Sequence, residues 1–502
     1  MDLNRRDLVK LGVLATSAIA LPKAAAAYST YTVGDAAMGT PAPFQQALTQ
    51  PPLLAPVRSD AYADYFALTS RRTTATILPG IYTPVSAYNG SYLGPTLRVR
   101  SGRTAVVTHM NGITTPTSVH THGAYVDGNS DGHPSDPIAP GATKSYVLPN
   151  TQNARTQWYH DHVEHQTATN VYDGLSGFYL IGDALEDSLP LPAGEFDVPL
   201  CIQDRLFNSD GTLNYPASAV SDDGLAGNVI VVNGKAQPFF QVAARRYRFR
   251  VLNGSNARPY TLALSNGQSF QLIATEGGLI DAPVTLTSLP IWPAERYEIV
   301  IDFAALAIGT SVVLTNTMGS GSTAQIMRFD VVRTAKDDST VPAILRSPAD
   351  QADATHQDTT AAAATVTRKW NFGKTWDNVY VINGKVYDVK RIDAIPRAGD
   401  TEIWEFQTGY GWSHPVHVHL TNFKILDRNG QPAPLHERGF WKETVVLHPN
   451  EKVRVLMKWP SVPAAPTVIP AVMPGSFTDR YVFHCHNLGH EDHDMMTQFR
   501  VS

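Results

Sequence analysis

The chain has 502 residues, 43% of them hydrophobic and 17% charged, enough for two to four globular domains with real cores and against a disordered reading. Lys and Arg number 40 against 45 Asp and Glu, a formal charge of -5 without a basic stripe, which excludes the usual electrostatic footprint of a nucleic-acid binder. Two cysteines, Cys201 and Cys485, exclude a disulfide scaffold, and 36 Gly with 35 Pro, scattered without period, predict short strands joined by many turns.

The first segment reads Asn4-Arg5-Arg6-Asp7-Leu8-Val9-Lys10, then an apolar run from Leu11 to Leu21, then Pro22-Lys23 and four alanines. A twin-arginine start, an apolar stretch about half the ~20 residues needed to span a bilayer, and a small-residue cleavage site predict an export signal over residues 1–27. The expected destination is periplasmic or secreted, and no later apolar stretch is long enough to span a membrane.

Alternating runs then recur along the chain. Arg246 to Val251 sets aromatics and Val on one face and arginines on the other; Tyr297 to Phe303, Glu402 to Thr408, Lys452 to Trp459 and Tyr481 to His486 follow the same period of two. Turn dipeptides such as Asn253-Gly254 and Asn429-Gly430 close such runs, and the spacing predicts β-sandwiches. Ala349 to Thr367 holds almost no large apolar residue and reads as a surface linker, taken as 346–367, ahead of a C-terminal domain.

Histidine is the informative residue. Of the 17, none lies between His165 and His356, so the middle third contributes no imidazole. Four His-x-His pairs stand at His120/His122, His160/His162, His417/His419 and His484/His486. On a strand, residues i and i+2 project from one side, so each pair is a two-nitrogen clamp, and eight convergent imidazoles exceed what one ion takes. Two or three metals at a domain interface are implied.

Cys485 lies between His484 and His486, so alternation throws its thiolate to the opposite face and onto a different metal. His414, His490 and Met495 lie nearby in sequence, and two His, one Cys and a weak axial Met make a blue-copper electron-transfer site. One such copper plus a three-copper cluster stores the four electrons that reduce dioxygen to water.

These motifs resemble those of the multicopper oxidase family, in particular its bilirubin oxidase and bacterial spore-coat laccase branch. The matching stretches are Ser118 to Gly123, Trp158 to His162, Gly411 to His419 and His484 to Met496, with weaker likeness in Gly94-Pro95-Thr96 and Glu295-Arg296-Tyr297. The resemblance implies an all-β fold of three cupredoxin-like Greek-key sandwich or barrel domains, at residues 28–184, 185–345 and 368–502. It implies four copper ions: type 1 on His414, Cys485, His490 and Met495; type 2 on His120 and His417; a type 3 pair on His122, His160, His162, His419, His484 and His486. The remaining seven histidines, His165 and His493 among them, are expected at the surface or behind the ligands.

The resemblance further implies electron entry at an exposed edge of His490 and proton supply by Asp131 and Glu491. Turn and loop roles for these two acids stay open, as does packing of Trp412 over the blue copper. Expected partners are dioxygen and small electron donors, namely phenols, aminophenols or bilirubin-like tetrapyrroles, acting on a monomer. The nine Met residues form no Met-rich insert, which weighs against a cuprous oxidase of copper tolerance; a copper-sequestering protein without turnover is the other alternative. Cys201, in Pro199-Leu200-Cys201-Ile202, is expected to be a buried spectator.

Overall fold

The computed structural model describes residues 39–216, 224–351, 353, 355–356, 360–409, 411–463 and 477–502; the predicted export signal lies outside them. Among the described residues the sheets come in three consecutive pairs. A five-stranded sheet built on Ala63–Ala75 and Thr104–Asn111 faces a four-stranded sheet ordered Gly94–Arg100, Ser176–Gly182, Arg155–Asp161, Val119–His122. Seven strands, among them Asp197–Arg205, Arg246–Asn253 and Arg296–Asp302, then face five that include Tyr260–Leu264 and Gln325–Arg333. Last, a six-stranded sheet containing Thr401–Thr408 and Lys452–Lys458 faces a four-stranded one ordered Thr444–Leu447, His414–Val418, Arg480–Cys485, Met496–Arg500.

Each pair encloses an apolar core. Phe66, Leu68, Leu97, Tyr146 and Tyr159 fill the first, Tyr247, Phe249, Leu262, Ile299 and Phe329 the second, and Trp404, Phe406, Trp459, Phe483 and Phe499 the third. The alternating runs form strands as their period requires, since one face must meet the opposing sheet. Asn429 and Gly430, with φ of 50° and 74°, make the tight turn after Phe423–Arg428; only residues that tolerate the left-handed region sit there without strain.

Three features depart from the sequence reading. Leu48 packs in the second core, where Ala47 bridges Phe239, so the chain touches the middle unit before building the first. The segment read as a surface linker is anchored inward: Arg346, Asp353, Thr355 and His356 are buried, Asp353 pairs with buried Arg155, and His356 stacks on Trp441 at 4.8 Å. Pro348 to Asp350 and Thr360 to Ala363 in the same segment are exposed, and its few buried polar groups are hydrogen-bonded, which pattern alone does not separate from solvated ones. Val366 and Thr367 already belong to the strand Val366–Lys374. The arginine face of Arg246–Asn253 is likewise buried, with Arg248 and Arg250 held by Glu186, Asp197 and Glu298.

Candidate metal centre

Strand parity places the site. In Arg480–Cys485, Tyr481, Phe483 and Cys485 share the face that enters the third core, and His484 points to the other side. Its neighbour His414–Val418 does the same: Val416 and Val418 face the core and His417 the opposite side, with Val416 paired to Cys485 and His417 to His484. The first unit mirrors this, because Val119 and Tyr159 enter its core while His120 lies opposite His160 in the register of Val119–His122 with Arg155–Asp161. The outer faces of two sheets therefore meet, and all eight paired histidines are buried between them.

Ligand atoms within 4.8 Å of one another form overlapping sets, among them His122, His160 and His486; His162, His419 and His484; and His120 with His417 and His419. His120 and His122 stack on His419 and His417 across the interface at 4.0 and 3.6 Å. A fourth set, inside the third sandwich, holds His414, Cys485 and His490. There Cys485 Sγ is 3.5 Å from His414 Nδ1 and 3.4 Å from His490 Nδ1, and the two nitrogens are 3.1 Å apart. Met495 is wholly buried in the same core, its carbonyl accepting from the Cys485 amide at 3.0 Å.

The orientation of the rings tests whether cations fit. Nδ1 of His120, His160 and His417 meets the carbonyls of Asp131, Asp161 and Glu443 at 2.5, 2.8 and 3.1 Å, while Nε2 of each is buried without a partner. A neutral imidazole that spends its one N–H on a carbonyl turns a bare lone pair inward. His162 and His419 each bring Nε2 to within 3.3 Å of His484 Nε2. Burial drives the pKa of His160 and His414 down to about 3 and of His162 to about 4, so these rings stay neutral and able to donate a lone pair. Burial pushes the Cys485 thiol up, so a thiolate there calls for an adjacent cation. The donor set, bare nitrogens with one sulfur set apart, suits copper at both centres.

Carboxylates stand behind these rings. Asp131 Oδ2 takes His419 Nδ1 at 2.7 Å, and burial raises the Asp131 pKa. Glu491 lies between His162 and His484, its oxygens 3.2 and 3.1 Å from their Nδ1 atoms. Sequence reasoning missed Glu443, 2.6 Å from His122 Nδ1, and Arg296, 2.5 Å from Glu443. Arg296 lies in a stretch quoted for its likeness, but nothing in spacing assigned it a contact.

His490 differs from its expected exposure. It is wholly buried, Tyr380 stacks on it at 4.2 Å, and the Asn487 amide nitrogen is 3.1 Å from its Nε2. Trp412 is half-buried. Among the other histidines His165 is exposed, but His109, His133 and His356 are buried, the last two in hydrogen bonds with Gln498 and Asn422. Cys201 is buried and free.

Three cupredoxin-like sandwiches with two buried imidazole-rich centres define a copper-dependent oxidoreductase. Family models described as multicopper oxidase match residues 69–186, 156–336 and 348–502. The chain is 34% identical to a laccase from Bacillus subtilis (strain 168), over 91% of this chain and 98% of that one. It is 36% identical to a bilirubin oxidase from Albifimbria verrucaria, over 83% of this chain and 72% of that one. A crystal structure of a laccase from Pediococcus acidilactici superposes with a TM-score of 0.82 at 29% identity, covering 93% of this chain and 95% of that one. The chain belongs to the multicopper oxidase family, and its cofactor is copper. No helix among the described residues is long and apolar enough to cross a membrane.

Proposed function

We propose that the chain is an exported laccase-like or bilirubin-oxidase-like oxidase holding four coppers. It couples one-electron oxidation of phenolic, aminophenolic or tetrapyrrole donors at a blue type 1 copper to four-electron reduction of dioxygen to water at a trinuclear cluster. The observation that carries this reading is the placement of Cys485. Its sulfur joins His414 and His490 on one face of a strand, while flanking His484 and His486 join the two imidazole sets on the other.

The copper ions, when bound, supply the redox chemistry and the covalent path between the centres runs through three consecutive residues. The chain's own groups do the rest. His414, Cys485 and His490, together with Met495, would hold the type 1 ion in an apolar core. His120 and His417 would hold the type 2 ion; His122, His160 and His486 would hold one type 3 ion and His162, His419 and His484 the other. Asp131 and Glu491, both buried against ligand rings, would be placed to pass protons toward the oxygen site.

Tyr380, itself buried, stacks on His490, so an electron from an outside donor would cross buried side chains rather than enter at an open imidazole edge. Export follows from the twin-arginine start and would deliver a folded, metal-loaded protein. Oxygen uptake by the purified, copper-loaded enzyme with bilirubin, a phenol and Cu(I) tests the reading. Uptake with organic donors in a ratio of four electrons per dioxygen supports it; stoichiometric copper binding without uptake refutes it.

A further inference from the structure

The middle unit contains no histidine, yet it reaches the imidazole cluster through a buried ionic bridge. Arg296, the first residue of the strand Arg296–Asp302, is wholly buried and donates to the carbonyls of Thr156 and Ala294 at 3.1 and 3.0 Å. Anchored so, its Nη2 lies 2.5 Å from Glu443 Oε1, and that oxygen lies 2.6 Å from His122 Nδ1. Glu443 is itself fixed by the middle unit, because Glu276 Oε2 accepts from the amides of Glu443 and Thr444 at 2.9 and 3.1 Å. Lys442 next to it is clamped by Glu276 and Glu295 at 2.8 and 3.0 Å.

Space for the carboxylate is built in. Gly123, directly after His122, has φ of +87°, and a Cβ there would overlap the Glu443 carboxylate. Any other residue would be strained and would evict the acid.

We propose that Arg296 and Glu443 are positioning residues of the copper cluster, through which the middle unit sets the tautomer and tilt of His122. The proposal rests on the copper reading above. Arg296 holds the Glu443 carboxyl in place, and Glu443 Oε1 is positioned to accept a hydrogen bond from His122 Nδ1–H. His122 Nε2, buried and without a hydrogen-bond partner, is then bare toward the set it forms with His160 and His486. Arg296 Nη1 sits 3.1 Å from the same Nδ1, and as an obligate donor it cannot replace the carboxylate there. An amide at position 443 can turn its NH2 toward Nδ1, which forces the ring proton onto Nε2 and blocks the metal-facing edge.

The test is a graded chelator titration of the copper-loaded full chain, following copper per chain by elemental analysis and the blue absorption separately. Loss of a carboxylate behind a metal-bound histidine typically weakens the metal about 10- to 100-fold. Glu443→Gln is expected to release cluster copper at correspondingly lower chelator while the blue band keeps its wild-type resistance. Glu443→Asp, which restores a carboxyl group, recovers part of the difference. Wild-type resistance in Glu443→Gln, or equal loss at both centres, overturns the proposal. Should Glu443→Gln not fold, Arg296→Lys takes its place, with a smaller selective loss expected and unchanged copper retention overturning the idea. If the wild type shows no blue band and no cluster copper, the copper reading itself has failed, a result distinct from either outcome.

Discussion

Asp131 offers the sharpest graded perturbation of the cluster. Its carboxylate accepts from His419 Nδ1 at 2.7 Å and its carbonyl holds His120 Nδ1 at 2.5 Å, so one residue orients two ligands across the unit boundary. Asp131→Asn keeps the shape and an acceptor oxygen but removes the negative charge that Asp131 would carry beside copper-bound His419. Hydrogen bonds to charged groups contribute ~1.5–3 kcal/mol against ~0.5–1.5 for neutral ones, a difference of ~1–1.5 kcal/mol or about tenfold in affinity. Asp131→Ala removes the acceptor as well and strands a buried Nδ1–H, adding ~1–3 kcal/mol. Copper retention against a chelator should fall in the order wild type, Asn, Ala. The blue absorption should hold, since Asp131 contacts neither His414, Cys485 nor His490. Equal retention in the wild type and Asp131→Ala, or parallel loss of the blue band, would refute this assignment.

Other expectations follow from the same geometry. Cys485→Ser should abolish the blue absorption while cluster copper remains countable; a surviving blue band contradicts the role of the sulfur. Met495→Leu should keep the blue band and raise the potential in a redox titration, because a weak donor that favours the oxidised ion is gone; an unchanged or lowered potential contradicts axial placement. His109 is buried with both ring nitrogens unpartnered, and burial depresses its pKa from 6.5 to about 4. The unfolded chain therefore binds a proton that the folded chain refuses, and stability is lost as pH falls from 6.5 to about 4, by on the order of 3 kcal/mol. His109→Leu should flatten that slope by about one proton in denaturant titrations across this range; an unaltered slope refutes it.

The alternation of strands made much of this site legible before any coordinate. Parity alone assigned Cys485 and His484 to opposite faces, and the packing of Tyr481 and Phe483 beside Cys485 is the physical reason it holds. Which imidazole joins which set was not legible, since it depends on the pairing of His120 with His160 and His417 with His484 and on two sheets meeting face to face. Glu443 and Arg296 escaped for the same reason: each stands far from His122 in sequence and reaches it only through the packing of three units. The inward anchoring of Asp353 and His356 was hidden by a composition that reads the same for solvated and for internally satisfied polar groups.

On the proposed function, one strand end serves two copper centres through adjacent residues, His484, Cys485 and His486. Copper counting on the purified enzyme, combined with its visible spectrum and its electron-to-oxygen ratio, tests it most directly. Four coppers per chain, a blue band that disappears with Cys485, and four donor electrons consumed per dioxygen without peroxide are the results expected of this function. Fewer coppers in a fully loaded protein, or peroxide as the product, would contradict it.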